Sequence, residues 1–216
     1  NAYRVVRDFE AALCEYTGAP FAVTVNSCTM ALLLAVAWHL RAEVLDARAE
    51  RRATFFDIEI PKRTYVSVPM SIIHAGGRAV FRDEDWRGAY QLKPLPVWDS
   101  ARWFSSRMYD YEPLLNGVVM PTGSFMCCSF HASKTLGDTQ GGAILHDNPE
   151  ADAWLRRARF DGRAEGVHPK LDTFAQVGWH AYMSPDVAAR LLLKLSVLPR
   201  HNEPLPNDDY PDLSQM

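Results

Sequence analysis

The sequence predicts an α/β fold, a mainly parallel sheet flanked by helices on both faces. Short apolar, strand-like runs alternate with stretches of helical periodicity along most of the chain, and Gly and Pro punctuate the boundaries between them. With 216 residues, 48% of them hydrophobic, the chain can bury one good core as a single domain with a small appendage.

The elements follow in order. Arg4 to Tyr16 carries apolar residues at helical spacing, and Gly18 with Pro20 supplies the stop. Phe21 to Val25 reads as a strand, and Thr29 to Leu45 as a buried helix capped by Asn26 or Ser27. Ile58 to Pro61 is the next strand, Tyr65 to Ala75 a helix stopped by Gly76-Gly77, and Arg78 to Arg82 a third strand. Pro96 to Trp98, Phe125 to Phe130 and Gly142 to Leu145 supply three more. Pro149 to Phe160 forms a charged amphipathic helix, and Ser184-Pro185-Asp186 opens a last helix running to Leu198. From Pro199 onward the chain is rich in proline and polar residues, so it either wraps over a surface or stays loosely ordered.

Composition excludes several classes. A formal charge of −3 favours neither nucleic acid nor an anionic membrane as partner. The longest apolar run, Met30 to Trp38, is too short to span a bilayer. Asn1 starts in helix-like sequence without a signal-peptide pattern, and the missing initiator methionine implies that residues precede it. Cys14, Cys28, Cys127 and Cys128 lack zinc-type spacing, and the histidines form no ligand motif, so reduced thiols in a cytoplasmic protein without a metal site are expected.

Of the five lysines, Lys62 and Lys93 lie beside prolines, Lys170 lies in a polar stretch, and Lys194 lies on a leucine-rich helix where its end should snorkel to solvent. Lys134 differs. It sits in a polar loop between two apolar runs, flanked by hydroxyls and glycines, where exclusion of water would depress its pKa and make it a nucleophile toward carbonyls. The chemistry this suggests is a Schiff base with pyridoxal phosphate. Without its flanking sequence, Lys134 reads as an ordinary loop lysine.

That flanking sequence, Ser129-Phe130-His131-Ala132-Ser133-Lys134, resembles the lysine motif of the DegT/DnrJ/EryC1/StrS family of sugar aminotransferases, enzymes of fold-type I dependent on pyridoxal 5'-phosphate. Asn26 to Leu32 is similar to the family's phosphate-binding turn, Pro61 to Pro69 to its ring-stacking segment, Trp98 to Ala101 to its pyridinium-binding strand end, and Gly178 to Ala189 to its dimer-contact segment. Their order is more specific than any one of them.

The resemblance implies a cofactor-binding large domain over residues 1–198, followed by a tail over 199–216. In such a fold the first strand-to-helix turn aims amides at an anion. Cys28, Thr29 and Met30 occupy that turn, and Ser129 would add a hydroxyl to the phosphate; as residue types alone, Asn26, Ser27 and Thr29 also read as simple helix capping. Asp99, at a strand end near the core, would pair with the pyridinium nitrogen; taken alone it pairs as readily with Arg102 or Arg107. Tyr65 would stack on the ring, although an aromatic at a helix start is more often core. Lys134 would carry the cofactor and act as acid and base. A homodimer with a composite site is implied, as are glutamate or glutamine as amino donor and a keto-sugar nucleotide or related keto compound as acceptor.

The chain also departs from the family pattern. Only a short stretch separates Tyr65 from Asp99, as if a strand and helix were deleted, and the small domain that follows the last helix in relatives is missing. Arg102 stands where relatives carry Gln or His near the ring hydroxyl, and His180-Ala181-Tyr182 replaces the segment that reaches the neighbouring subunit's phosphate, a contact His180 would take over. These departures keep two other readings open, a lyase and a non-catalytic binding or assembly component. The acidic run Asp208 to Asp212 reads as solvated surface.

Overall fold

The computed structural model describes residues 3–49, 56–110 and 121–215, with the side chains of residues 43–49 excepted. Asn1 and Met216, the outer limits of the expected domain and tail, lie outside the described residues. In chain order the elements are α1 (Arg4–Thr17), β1 (Phe21–Val25), α2 (Cys28–Ala49), β2 (Phe56–Pro61), α3 (Ser67–His74), β3 (Gly77–Arg82), β4 (Tyr90–Gln91), β5 (Val97–Asp99), β6 (Phe125–Ser129), β7 (Gly142–His146), α4 (Pro149–Ala158) and α5 (Pro185–Ser196), with a 3-10 turn at Pro169–Leu171.

A five-stranded sheet runs β1-β7-β6-β5-β4, and β2 and β3 form a separate parallel pair. The sheet is mixed. β7 lies between β1 and β6 and opposes both, and β4 opposes β5, whereas β5 and β6 are parallel. With β7 reversed between them, β1 and β6 point the same way, so β1, β5 and β6 all end on one edge of the sheet. β4, which the sequence does not announce, forms a hairpin with β5 through the turn containing Lys93-Pro94. The turn of this hairpin also links the two sheets, because Glu59 and Lys93 exchange backbone hydrogen bonds of 2.7 and 3.1 Å.

Burial on both faces explains the unbroken apolar run in β6. Phe125 and Cys127 point into a core shared with α2, α3 and α4, while Met126 and Cys128 point into a second core built on α1 and α5. α2 lies deep in the first of these cores. Its residues from Ala31 to Trp38 are all buried, which accounts for a helix apolar nearly all round. α4 begins as its sequence predicts, with the Asn148 side chain accepting from the amides of Glu150 and Ala151 and Pro149 in the first turn. Among the described residues no helix is long and apolar enough to cross a membrane.

The tail wraps back over the sheet edge. Leu205 N–H donates to the Arg102 carbonyl (2.7 Å), Leu213 N–H donates to the Lys62 carbonyl (2.9 Å), and the Leu213 side chain is buried.

Candidate active site

The ends of β5 and β6 and the N-terminus of α2 converge on a cleft of about 350 Å³, within the range of small-ligand pockets. Ser27, Cys28, Thr29, Asp99, Ser129 and Lys134 all line it. At α2, Ser27 is the cap: its Oγ accepts from Met30 N–H at 3.2 Å. Thr29 hydroxyl donates to Ser67 Oγ (2.8 Å), and Ser71 hydroxyl donates to the Thr29 carbonyl (3.1 Å), so α3 braces the turn. Gly142 on β7 lets this turn sit against the sheet, because a Cβ there would lie 2.6 Å from Cys28 N. Burial, reinforced by the Asp99 carboxylate, pushes the Cys28 thiol well above its ordinary value.

The Lys134 loop leaves β6 at Ser129 and folds back tightly. Phe130 N–H donates to Gly141 O (2.9 Å), Lys134 N–H to His131 O (2.9 Å) and Asp138 N–H to Phe130 O (2.9 Å). Gly137 is required by this folding, since a Cβ would lie 2.7 Å from the Ala132 carbonyl and 2.8 Å from that of Lys134. From outside, α5 pins the loop. Arg190 and Lys194 both bind Asp138, and Lys194 Nζ also donates to Gly137 O at 2.6 Å. These partners hold the Asp138 carboxyl far below its usual range. Lys194, half-exposed as expected of a snorkelling lysine, thus also ends on the Lys134 loop. Half-burial, with the positive field of Arg102 added, lowers the pKa of Lys134 against the opposing pull of Asp99.

Asp99, 4% exposed, ends β5. Its Oδ2 accepts from Tyr90 hydroxyl (2.9 Å) and its Oδ1 from Ala101 N–H (2.9 Å); Tyr90 in turn is 2.5 Å from Thr64 Oγ1. Among the described residues no cation stands within ion-pair distance of it, so neither Arg102 nor Arg107 takes the role the sequence left open. Burial raises its pKa while these two donors, Lys134 and Arg102 oppose the rise. A buried carboxylate with hydrogen-bond donors but no counter-ion suits a cationic ring nitrogen, and hydroxyls beside a helix N-terminus suit a phosphate.

Arg102 also faces the cleft, but its guanidinium is engaged by the tail. Its Nε donates to Tyr210 hydroxyl (2.8 Å), its centre lies 4.5 Å from the Tyr210 ring centroid, and Asp209 takes a terminal nitrogen. Asp209 and Tyr210 thus line the cleft. This corrects the reading of Asp208 to Asp212 as mere solvated surface: the run lacks periodicity, and its partner, Arg102, lies more than a hundred residues away in sequence. Tyr65 overhangs the opening, 57% exposed and 6.5 Å from Tyr210, so it is not a core aromatic; α3 starts only at Ser67. Met30 stays off the cleft, its amide spent on the Ser27 cap. His180 also lies elsewhere, bound to Asp161 (2.9 Å) in a neighbouring hollow that shares Gln140 and Gly141 with the cleft. A wider hollow of about 570 Å³ between α1 and α4 has its main charges, Glu10 and Arg156, paired with each other.

An α/β domain with a half-buried lysine and a buried carboxylate at neighbouring strand ends, opposite one helix N-terminus, defines the class. The chain belongs to the DegT/DnrJ/EryC1/StrS aminotransferase family, whose model matches residues 1–97 and 116–204. Thr29, Tyr65, Ser129 and Lys134 fall inside the matched segments; Asp99, Arg102, Asp209 and Tyr210 fall outside. No curated protein matches the sequence. Among solved structures the fold is similar to DesV from S. venezuelae, determined in complex with a ketimine intermediate (TM-score 0.64, 19% identity, 90% of this chain and 57% of that one). It is similar also to AtS13 from Actinomadura melliaura (0.66, 21%, 90% and 60%) and to Helicobacter pylori PseC, an aminotransferase of pseudaminic acid biosynthesis (0.64, 18%, 91% and 58%). The chain spans less than two thirds of the length of these relatives.

Proposed function

We propose that the cleft binds pyridoxal 5'-phosphate and that the chain works as an aminotransferase, moving an amino group from glutamate or glutamine to a keto-sugar nucleotide or a related small keto compound. The observation that carries this reading is the meeting of Lys134, Asp99 and the α2 N-terminus in one cleft. When bound, the cofactor supplies an electron sink for the carbon that loses its proton. The amides of Cys28 and Thr29, with the Ser129 hydroxyl, would hold the phosphate, and the Thr29 hydroxyl would join them only by turning away from Ser67. Asp99 would keep the ring nitrogen protonated, the two donors from Tyr90 and Ala101 holding the carboxylate in place. Tyr65, at the mouth of the cleft, would cover the open face of the ring. Lys134 Nζ would hold the cofactor when it is bound, and its depressed pKa would leave more of the free amine neutral, able to take up and return a proton at Nζ.

Exposed apolar side chains on α3, Met70 and Ile73, support a homodimer in which His180 serves the neighbouring chain's site. Four free cysteines are compatible with a cytoplasmic setting.

The test is the visible spectrum of the protein with added pyridoxal phosphate, before and after glutamate, beside Lys134→Ala. A band that requires Lys134 and collapses with glutamate is expected. A Lys134-dependent band unchanged by glutamate, and by glutamine added in its place, would point to a lyase, and no band in a folded protein would leave a binding component.

A further inference from the structure

Arg102 and Asp209 differ sharply in exposure: the arginine side chain is 12% exposed and the aspartate 66%. The guanidinium is fixed independently of Asp209. Tyr210 accepts from its Nε and supports its face, and the Tyr210 ring is itself stacked on Trp86 (6.1 Å, 20° between planes). The tail, which crosses the cleft as a strap, is likewise fixed on either side of Asp209, by the Leu205 amide on Arg102 O and by the Asp212 carboxylate on Lys62 Nζ (3.1 Å). Asp209 can therefore leave Arg102 without the strap detaching. An ion pair open to water on one side contributes little, so exchanging one carboxylate for another costs little. A preset planar guanidinium recognises carboxylates through paired hydrogen bonds.

We propose that Arg102 is the receptor for a carboxylate of the amino donor, and that Asp209 is its built-in occupant, exchanged for that carboxylate when the donor enters. The inference rests on the donor being an amino acid, as in the reading above. Arg102, Asp209 and Tyr210 share the cleft with Lys134, which places the seat beside the reacting amine. All three lie outside the segments matched by the family model, so the device belongs to the part of this chain that departs from it.

Glutarate, a dicarboxylate without an amine, is the probe, titrated calorimetrically into the full chain at low salt. Asp209→Ala removes the internal competitor and should tighten glutarate binding about tenfold, while Arg102→Gln should abolish it. Tyr210→Phe keeps the supporting ring but removes the acceptor that fixes Arg102 Nε, so it should weaken glutarate binding without abolishing it. Unchanged or weaker glutarate binding by Asp209→Ala would overturn the proposal, making Asp209 a brace for Arg102. A parallel titration of the same variants with pyridoxal phosphate, read as absorbance, separates the two readings. A normal band with unaltered glutarate affinity defeats only this inference; absence of the band defeats the cofactor reading while the glutarate series on the bare chain still decides the role of Arg102.

Discussion

Tyr90 donates a 2.9 Å hydrogen bond to Asp99 Oδ2, and both side chains are buried. The bond joins β4 to the cleft end of β5, and it favours the ionised carboxylate that burial opposes. Hydrogen bonds to charged groups contribute about 1.5–3 kcal/mol. Tyr90→Phe should therefore raise the Asp99 pKa and weaken pyridoxal phosphate binding about tenfold or more, with little change in the fold. Fluorescence titration of the cofactor measures this; an unchanged dissociation constant would remove Asp99 from the nitrogen-binding role.

Gly142→Ala should act on the same site from the other side. The added Cβ meets backbone atoms of Ser27 and Cys28 at 2.6 to 2.7 Å, and backbone cannot swing away as a flexible side chain can. Overpacking of this kind costs about 1–3 kcal/mol. Urea unfolding should show that loss, and phosphate-containing ligands should bind more weakly than to the parent, because the α2 N-terminus is displaced. Full stability in the alanine variant would show that the turn yields freely.

Much of this was legible beforehand, for physical reasons that differ by element. Phe21–Val25, Phe125–Ser129 and Gly142–His146 are apolar runs bounded by turn residues, and α1, α4 and α5 have one-sided periodicity, so their sequences carried their structure. Lys134, Asp99, Thr29 and Ser129 were found through motif order, and the fold brings them together. β4 is two residues long, too short for any period to register. The reversed direction of β7 is set by its neighbours, not by its composition. Asp209 and Tyr210 escaped because a contact spanning more than a hundred residues leaves no local trace; the only hint was an arginine, Arg102, where relatives carry a neutral side chain or histidine.

Acid should destabilise the sheet through His146. This fully buried ring stacks between Phe21 (5.4 Å) and Phe125 (5.2 Å), and burial pushes its pKa from 6.5 down to about 4. Asp152, 3.8 Å away, and Asp147 pull it up, while Arg156 pushes it further down. Because the folded value lies below the unfolded one, the stability of the neutral ring is complete above pH 6.5 and is lost as pH falls toward about 4, by up to about 3 kcal/mol. Urea midpoints across that range should fall with pH, and His146→Phe should flatten the slope. An equal slope in the variant would assign the acid loss elsewhere, His39 being the next group to test, since burial also lowers its pKa to about 4.

Glu10 and Arg159 should prove the most sensitive pair outside the cleft. Glu10, on α1, accepts from Thr24 N–H (2.9 Å), Thr24 hydroxyl (2.8 Å), Arg156 (2.7 Å) and Arg159. Burial pushes the Glu10 carboxyl up, but Arg159 and Arg156 outweigh it and hold the group ionised. Arg159 is 2% exposed and otherwise relies on Glu165 and the Thr24 carbonyl. Glu10→Gln leaves a buried guanidinium with half of its countercharge gone, a change that costs about 3–5 kcal/mol when a buried pair is broken from one side. Replacing both partners by methionine removes the charges together and should recover a large part of that loss in urea unfolding. If the single variant loses less than about 1 kcal/mol, Glu165 alone neutralises Arg159, and the link from α1 across β1 to α4 is held by apolar packing.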